Sequence, residues 1–208
     1  MIKYKNYYRK TSFKKDKVNA EILLSLVNEY KPKKFLEVGV LEGATARNVC
    51  EIMYKLYGND FNYFGIDLFG HDMSANNEKE FTPISNKYSN PFKFIYFNFI
   101  LRHHPNSLEG VNYLLKKFNN SVNLYQGYSK NLLRKINLQS IDFVFLDGGH
   151  SYETVKEDLD ILLENLKRNS VVVLDDYDRK DYGVRKAADE VKDKFENYER
   201  GRFLLIKK

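Results

Sequence analysis

The apolar positions of the chain alternate between short continuous runs and stretches with helical spacing. Short apolar runs predict buried strands at 34–40, 61–69, 122–125, 141–146 and 170–174, with a final strand at 203–207. Apolar residues that recur every three or four positions predict helices at 16–30, 44–57, 107–118, 151–166 and 183–195, with a short helix ending near 133. This alternation of strands and helices is typical of an α/β fold.

Two segments do not follow this alternation of strands and helices. Residues 1–15 are basic and aromatic without a clear period, so we interpret 1–30 as an N-terminal arm followed by a helix. Residues from about 70 to 98 combine loop-forming Asn and Pro with several Phe and Tyr. A long loop with its own aromatic residues is typical of a lid-like insertion, although a surface excursion held down by those aromatics would show the same pattern.

Composition narrows the class of protein. The 208 residues suit one domain, and the net charge of +6 is spread without a basic run of five residues, so a nucleic-acid groove is not favoured. We expect no membrane span, because no apolar run approaches 18 residues. The single cysteine, Cys50, cannot form an internal disulfide, which favours a reducing, cytoplasmic location. The sequence leaves homo-oligomerisation open.

A glycine-containing turn joins the first strand to its helix. Gly39 and Gly43 allow backbone N–H groups to approach a ligand, and Thr45 adds a hydroxyl near the start of a helix, where the helix dipole favours an anion. The turn lacks the Gly-x-Gly-x-x-Gly dinucleotide fingerprint, because Leu41 occupies the second glycine position. The pattern predicts a nucleotide or anion cradle, and a plain turn with glycines for packing remains the alternative.

The second strand ends in a carboxylate. Asp67 stands at the carboxyl end of that strand, 28 residues after Gly39. A carboxylate in this place can accept hydrogen bonds from both hydroxyls of a ribose, which favours ribose binding. An exposed loop aspartate is the alternative interpretation. Leu68, which follows, belongs to the same predicted cofactor site.

Further carboxylates follow two later strands and are predicted to lie at the same edge of the sheet. Asp147 follows 141–146, while Asp175 and Asp176 follow 170–174. Three like charges repel, so their convergence requires a cation or raised pKa values. An oxygen-only carboxylate site suits Mg²⁺. For Asp175 or Asp176 taken alone, capping of the next helix is the simpler interpretation.

These motifs resemble the class I S-adenosylmethionine-dependent methyltransferases, and within them the metal-dependent, macrocin-type sugar O-methyltransferases. The resemblance rests on Glu-Val-Gly-Val-Leu-Glu-Gly-Ala-Thr at 37–45, Leu-Asp-Gly-Gly-His-Ser-Tyr-Glu at 146–153, Val-Val-Val-Leu-Asp-Asp-Tyr at 171–177 and Gly-Val-Arg-Lys-Ala at 183–187. It implies a Rossmann-like, doubly wound, mostly parallel seven-stranded sheet with a last antiparallel strand at the sheet edge. Residues 31–208 would form the methyltransferase domain.

The resemblance implies S-adenosylmethionine as the cofactor. The glycine turn would wrap its methionine part, Glu37 would lie near its ammonium group, and Tyr128 and Ser129 would border its adenine ring. A turn followed by a helix cap would look the same at Tyr128 and Ser129. The implied cofactor-binding residues are Glu37, Gly39, Gly43, Thr45, Asp67, Leu68, Tyr128, Ser129 and Asp147.

The resemblance also implies a Mg²⁺ ion and a general base. The counterparts of Asp147, Asp175 and Asp176 hold Mg²⁺ in that group, and His150 occupies the place of its general base. The implied reaction transfers a methyl group to a hydroxyl of a sugar or glycan. His150 could instead cap the helix that starts at Ser151.

Two other acceptor classes fit the sequence less well. Catechol-type enzymes share the metal arrangement but tend to carry Lys at the base position, where this chain has His150. A nucleic-acid methyltransferase would need an Asn/Asp-Pro-Pro-aromatic motif, and Asp-Gly-Gly-His stands there instead. Glu42 and the insertion at 70–98 depart from the family pattern.

Overall fold

The computed structural model describes residues 3–70 and 90–208. The helices are α1 (Lys17–Tyr30), α2 (Ala44–Tyr57), α3 (Pro91–Ile95), α4 (Leu108–Leu115), α5 (Ser129–Leu133), α6 (Tyr152–Asn165) and α7 (Val184–Asp189). The strands are β1 (Lys34–Val38), β2 (Asn62–Asp67), β3 (Val122–Gln126), β4 (Phe143–Leu146), β5 (Val171–Leu174), β6 (Glu196–Arg200) and β7 (Phe203–Lys207). Short 3₁₀ turns and a π-helical stretch at Tyr96–Leu101 complete the elements.

The seven strands form one sheet in the order β3-β2-β1-β4-β5-β7-β6. β1 pairs in parallel with β2 and β4, and the outward neighbours β3 and β5 are also parallel. β7 is antiparallel to both β5 and β6, so six strands share one direction and the last strand opposes them. The predicted mostly parallel seven-stranded sheet with a last antiparallel strand is confirmed.

Two details at the end of the chain differ from the prediction. β7 lies between β5 and β6 and is not the edge strand, because the strand at Glu196–Arg200 was missed. Its polar sequence and largely exposed side chains gave no apolar signal. The helix predicted at 183–195 ends at Asp189, and a 3₁₀ turn then leads into β6.

Helices cover both faces of the sheet, as expected for a doubly wound fold. Alternate side chains of each strand point to opposite faces. Phe35, Phe145 and Val173 pack with α1, α2 and α4 on one face. Leu36, Val144 and Val172 pack with α5, α6 and α7 on the other. Both faces of the central strands are therefore buried, which explains their continuous apolar runs.

The strand register aligns the carboxyl ends of β1, β2 and β4. Val38 is aligned with Ile66 on one side and with Leu146 on the other. The chain order reverses between β1 and β4, since β2 and β3 extend one way and β5 the other. Open α/β sheets bind their ligands at such a switch point, outside the carboxyl ends of the strands.

The N-terminal arm packs across this carboxyl edge. Arg9 is buried, and its guanidinium donates to the carbonyl oxygens of Pro105 (3.0 Å) and Gly110 (3.1 Å). The backbone N–H of Lys10 donates to Glu42 Oε2 at 2.6 Å. The acidic residue that departs from the family pattern therefore anchors the arm.

The segment predicted as a lid-like insertion is described only in part. Residues 71–89 lie outside the described ranges. Residues 91–101 are helical, and Phe97 is buried with the guanidinium of Arg9 5.0 Å from its ring centre. Among the helices within 3–70 and 90–208, none has the length and apolarity needed to cross a membrane.

Candidate active site

A cleft of about 600 Å³ opens at the carboxyl ends of β1, β2 and β4. This volume lies within the range of small-molecule binding sites, roughly 300–1,000 Å³. Most of the predicted site residues line it, although Glu37, Gly43 and Asp175 do not. The predicted residues in its wall are Gly39, Thr45, Asp67, Leu68, Tyr128, Ser129, Asp147, His150 and Asp176.

The two predicted glycines serve different purposes. Gly39 has φ of 93°, and a Cβ there would overlap the carbonyl oxygen of Asp147, so glycine is required where β1 and β4 approach each other. Gly43 has φ of 78° and begins α2, but its α-carbon faces Val111 of the core. Gly39 borders the cleft, while Gly43 allows α2 and α4 to pack closely.

Asp67 holds the glycine turn as well as lining the cleft. Its carboxylate accepts hydrogen bonds from the backbone N–H of Leu41 (2.8 Å) and of Phe69 (2.7 Å). Leu41 takes a left-handed φ of 53°, so this turn needs such support. Burial raises the pKa of Asp67, and the backbone hydrogen bonds partly offset that effect. Asp67 also lines the cleft, where a ribose hydroxyl could donate to its carboxylate oxygens.

We predict that Asp67→Ala will weaken binding of S-adenosylmethionine by about 1.5–3 kcal/mol, the scale of hydrogen bonds to a charged acceptor. Calorimetric titration measures this directly. The matched control is Asp60→Ala, because Asp60 lies before the same strand but pairs with Lys33 on the surface. Unchanged affinity in a folded Asp67→Ala protein would refute the ribose assignment.

Glu37 lies in the core and not in the cleft wall. Its side chain is buried, and the hydroxyl of Tyr63 donates to its Oε2. Burial raises the pKa of Glu37 to about 8, although the hydrogen bond from Tyr63 opposes the shift. The predicted contact with the ammonium group of the cofactor stays a prediction.

Glu37 should make the stability of the protein depend on pH. Its folded pKa of about 8 exceeds the ordinary value of 4.5, so between these values the folded state binds more protons than the unfolded state. Stability should therefore fall as pH rises through this window, by on the order of 3 kcal/mol from this residue. Denaturant unfolding at pH 5 and pH 8 should show a smaller loss for Glu37→Gln. Equal losses in both proteins would contradict this role.

Three groups from two strand ends form a compact cluster in the cleft. Asp147, His150 and Asp176 each offer one ligand atom, and these atoms lie within 4.8 Å of one another. Burial is the main cause that raises the pKa of Asp147 well above its usual value, and the charge of Asp175 adds to it. Burial alone would raise the pKa of Asp176 as well, but the hydrogen bond from His150 and the charge of Arg202 lower it.

Asp175 belongs to the same acidic region but is bound differently. Its side chain is buried, and its Oδ2 accepts a hydrogen bond from the guanidinium of Arg202. Burial raises the pKa of Asp175 to about 6, while Arg202 opposes the shift. The next residue, Asp176, has a left-handed φ of 55° and lines the cleft. The predicted three aspartates are thus neighbours, but only Asp147 and Asp176 line the cleft.

His150 lies between the carboxylate of Asp176 and the ring of Tyr182. Its Nε2 is 3.3 Å from Asp176 Oδ2, and its ring centre is 4.4 Å from that of Tyr182. The cap of α6 is supplied by Ser151, whose Oγ accepts from the backbone N–H of Thr154 at 3.3 Å. The alternative that His150 caps this helix is therefore wrong.

Several residues of the cleft wall were missed by the sequence patterns. Lys10, Thr11 and Ser12 come from the arm, while Tyr182 and Arg202 come from loops near the end of the chain. None of them stands at the end of a predicted strand, which was the signal that found the aspartates. Arg202 was further hidden because it follows β6, the missed strand.

Comparison with known proteins defines the class. Residues 36–177 match the family model described as a methyltransferase domain. The chain therefore belongs to this methyltransferase family, as the sequence motifs predicted. No curated protein matches the chain in sequence.

Solved structures share the fold at low identity. One is the apo structure of CalS11, described as TDP-rhamnose 3'-O-methyltransferase, with TM-score 0.60, 17% identity, and coverage of 95% of this chain and 81% of that one. The O-methyltransferase NovP gives 0.59 and 17%, with coverage of 91% and 78%. TomG from Streptomyces achromogenes, in complex with SAM, gives 0.58 and 14%, with coverage of 92% and 80%.

Proposed function

We propose that the protein is a Mg²⁺-dependent O-methyltransferase that moves a methyl group from S-adenosylmethionine to a hydroxyl of a sugar or glycan. The observation that carries this proposal is the cluster of Asp147, His150 and Asp176 in the wall of one cleft with the glycine turn and Asp67. One cleft is therefore lined by a candidate base, two candidate cation-binding carboxylates and a candidate ribose-binding carboxylate.

The cofactor half of the cleft fits S-adenosylmethionine. Gly39 has no side chain to block the end of β1, Asp67 offers oxygen acceptors to a ribose, and Tyr128 and Ser129 line the same cleft. The similar structure of TomG was obtained in complex with SAM. When bound, the sulfonium of the cofactor supplies an electrophilic methyl group, so the protein's task is to align the acceptor and remove its proton.

The acidic half of the cleft fits a divalent cation. Asp147 and Asp176 would hold it through carboxylate oxygens, which are the ligands that Mg²⁺ prefers. Desolvation first, and then the charge of Asp175, raise the pKa of Asp147, and a bound cation would favour its ionised form. A cation there supplies Lewis acidity, which makes a nearby hydroxyl more acidic.

His150 is placed to act as the general base. Its imidazole reaches the cleft beside Asp176, and it is one-third exposed, so an acceptor hydroxyl can approach it. Histidine titrates near neutral pH and can take the hydroxyl proton as the new O–C bond forms. The adjacent carboxylate of Asp176 stabilises the imidazolium that results.

A sugar is favoured as the acceptor over a catechol. The histidine base supports an aliphatic hydroxyl, and a protein of similar fold is described as TDP-rhamnose 3'-O-methyltransferase. A small-molecule or glycan acceptor is also consistent with the cleft volume of about 600 Å³.

Methyl transfer from labelled S-adenosylmethionine to three acceptor classes tests the proposal. The classes are nucleoside-diphosphate sugars, catechols and RNA, each with Mg²⁺ or with chelator. We expect turnover with a sugar, loss of turnover with chelator, and recovery when Mg²⁺ is restored. Turnover that chelator leaves unchanged would contradict the metal requirement, and transfer to catechol or RNA alone would contradict the acceptor class.

A further inference from the structure

Arg202 reaches from the turn between β6 and β7 into the acidic region of the cleft. Its guanidinium donates to Asp175 Oδ2, and its Nη1 lies 3.7 Å from Asp176 Oδ1 and 3.9 Å from Asp16 Oδ2. Its side chain is only 11% exposed. A largely buried cation therefore lies directly beside two of the three aspartates that follow β4 and β5.

The position of this guanidinium is fixed from several sides. The backbone N–H of Arg202 donates to Asn19 Oδ1 at 3.1 Å, and its carbonyl oxygen accepts from the N–H of Tyr177 at 3.0 Å. The guanidinium carbon lies 4.5 Å from the ring centre of Phe13, and Nη2 lies 3.2 Å from Ser12 Oγ. These contacts order the side chain before any ligand binds.

We propose that Arg202 is a positioning residue that keeps Asp175 out of the cation site and weakens the hold of that site on a divalent cation. The inference rests on the proposed function, because it concerns the cation site at Asp147 and Asp176. Three aspartates carry at most three negative charges, of which Arg202 offsets one and a divalent cation the other two. Two positive groups in one cluster repel each other, so the guanidinium lowers cation affinity.

A purely structural role would have a different consequence. If Arg202 only tied the arm to the sheet through Phe13 and Ser12, its loss would lower stability and leave cation affinity unchanged or weaker. The direction of the change in affinity therefore separates the two roles.

The test is calorimetric titration with Mn²⁺, without acceptor, of the wild type, Arg202→Gln and Arg202→Lys. Removal of the guanidinium charge should tighten Mn²⁺ binding by about tenfold or more, as expected for a unit charge close to the site. Arg202→Lys keeps the charge and should stay within about threefold of the wild type. Arg200→Gln is the matched control, because Arg200 lies on the same hairpin but pairs with the exposed Glu29.

Each outcome decides the proposal. Equal or weaker Mn²⁺ binding by Arg202→Gln, with binding by the wild type, overturns the role of Arg202 and leaves the cation site standing. Absence of Mn²⁺ binding in every protein overturns both the cation site and this role.

Asp175→Asn provides a second test that does not depend on the folding of an Arg202 variant. Since Asp175 is bound to Arg202 and does not line the cleft, its replacement should weaken Mn²⁺ binding by no more than about 100-fold, the upper end for a group that only supports a metal ligand. A loss of more than about 100-fold would identify Asp175 as a ligand and overturn the proposal.

Discussion

Replacement of His150 with alanine is expected to lower kcat by about 10²- to 10⁴-fold, the usual contribution of a general base. The imidazole lies in the cleft wall, 3.3 Å from the carboxylate of Asp176, where it can take a proton from an acceptor hydroxyl. Binding of S-adenosylmethionine should change little, because the imidazole addresses the acceptor. The rate should also lose its rising limb with pH, since that limb reports deprotonation of the base.

The matched control for His150 is Ser151→Ala. Ser151 caps α6, so its loss should cost about 1 kcal/mol of stability and leave kcat and its pH dependence unchanged. Both variants are measured below their melting temperatures. A His150→Ala protein with near-normal kcat and an intact rising limb would show that His150 is not the base.

The second large effect is expected at Asp147. Asp147→Asn should weaken Mg²⁺ binding by more than about 100-fold, because even groups that only support a metal ligand contribute about 10- to 100-fold. The same change should raise the melting temperature of the cation-free protein at pH 8. Burial and the charge of Asp175 raise the pKa of Asp147, so its ionised form is unfavourable in the folded state and a neutral amide is not.

Asp142→Asn is the control at the opposite end of the same strand. Asp142 accepts hydrogen bonds from the backbone N–H groups of Lys33 and Lys34, away from the cleft. Its replacement should lower stability without changing Mg²⁺ affinity. Comparable losses of affinity in the two variants, or a cation-free Asp147→Asn protein that melts earlier than the wild type, would contradict the assignment of Asp147.

The sequence predicted the parts of the fold that periodicity encodes. The parallel strands are buried on both faces and read as continuous apolar runs, and the helices carry one apolar stripe each. β6 was not predicted, because Glu196–Arg200 is a polar edge strand whose side chains contribute little to either core. Because β6 was not predicted, β7 was expected at the edge of the sheet, where β6 lies.

The candidate site was predictable as far as it depends on strand ends. Asp67 and Asp147 each come at the carboxyl end of a strand, and strand register brings those ends together. The direction of a side chain depends on tertiary contacts that spacing does not encode. Glu37 points into the core toward Tyr63, and Asp175 is bound by Arg202, which comes from a distant hairpin.

The position of the N-terminal arm also depends on tertiary contacts that residue spacing does not encode. Residues 3–15 have no period, so their location could not be inferred from the sequence. Their position depends on individual polar contacts, such as Arg9 with the carbonyl oxygens before and within α4, and Lys10 with Glu42. Glu42, which departs from the family pattern, has this partner in the arm.

A crystal structure with S-adenosylhomocysteine and Mn²⁺, analysed by anomalous scattering, would show whether Asp147 and Asp176 bind a cation in the cleft that holds the cofactor. We expect an anomalous peak within about 2.5 Å of carboxylate oxygens of both Asp147 and Asp176, given metal–oxygen distances near 2.1 Å for small divalent cations. The ribose hydroxyls should contact Asp67 in the same cleft. A bound nucleoside without an anomalous peak between Asp147 and Asp176, or a nucleoside bound away from Asp67, would contradict this expectation.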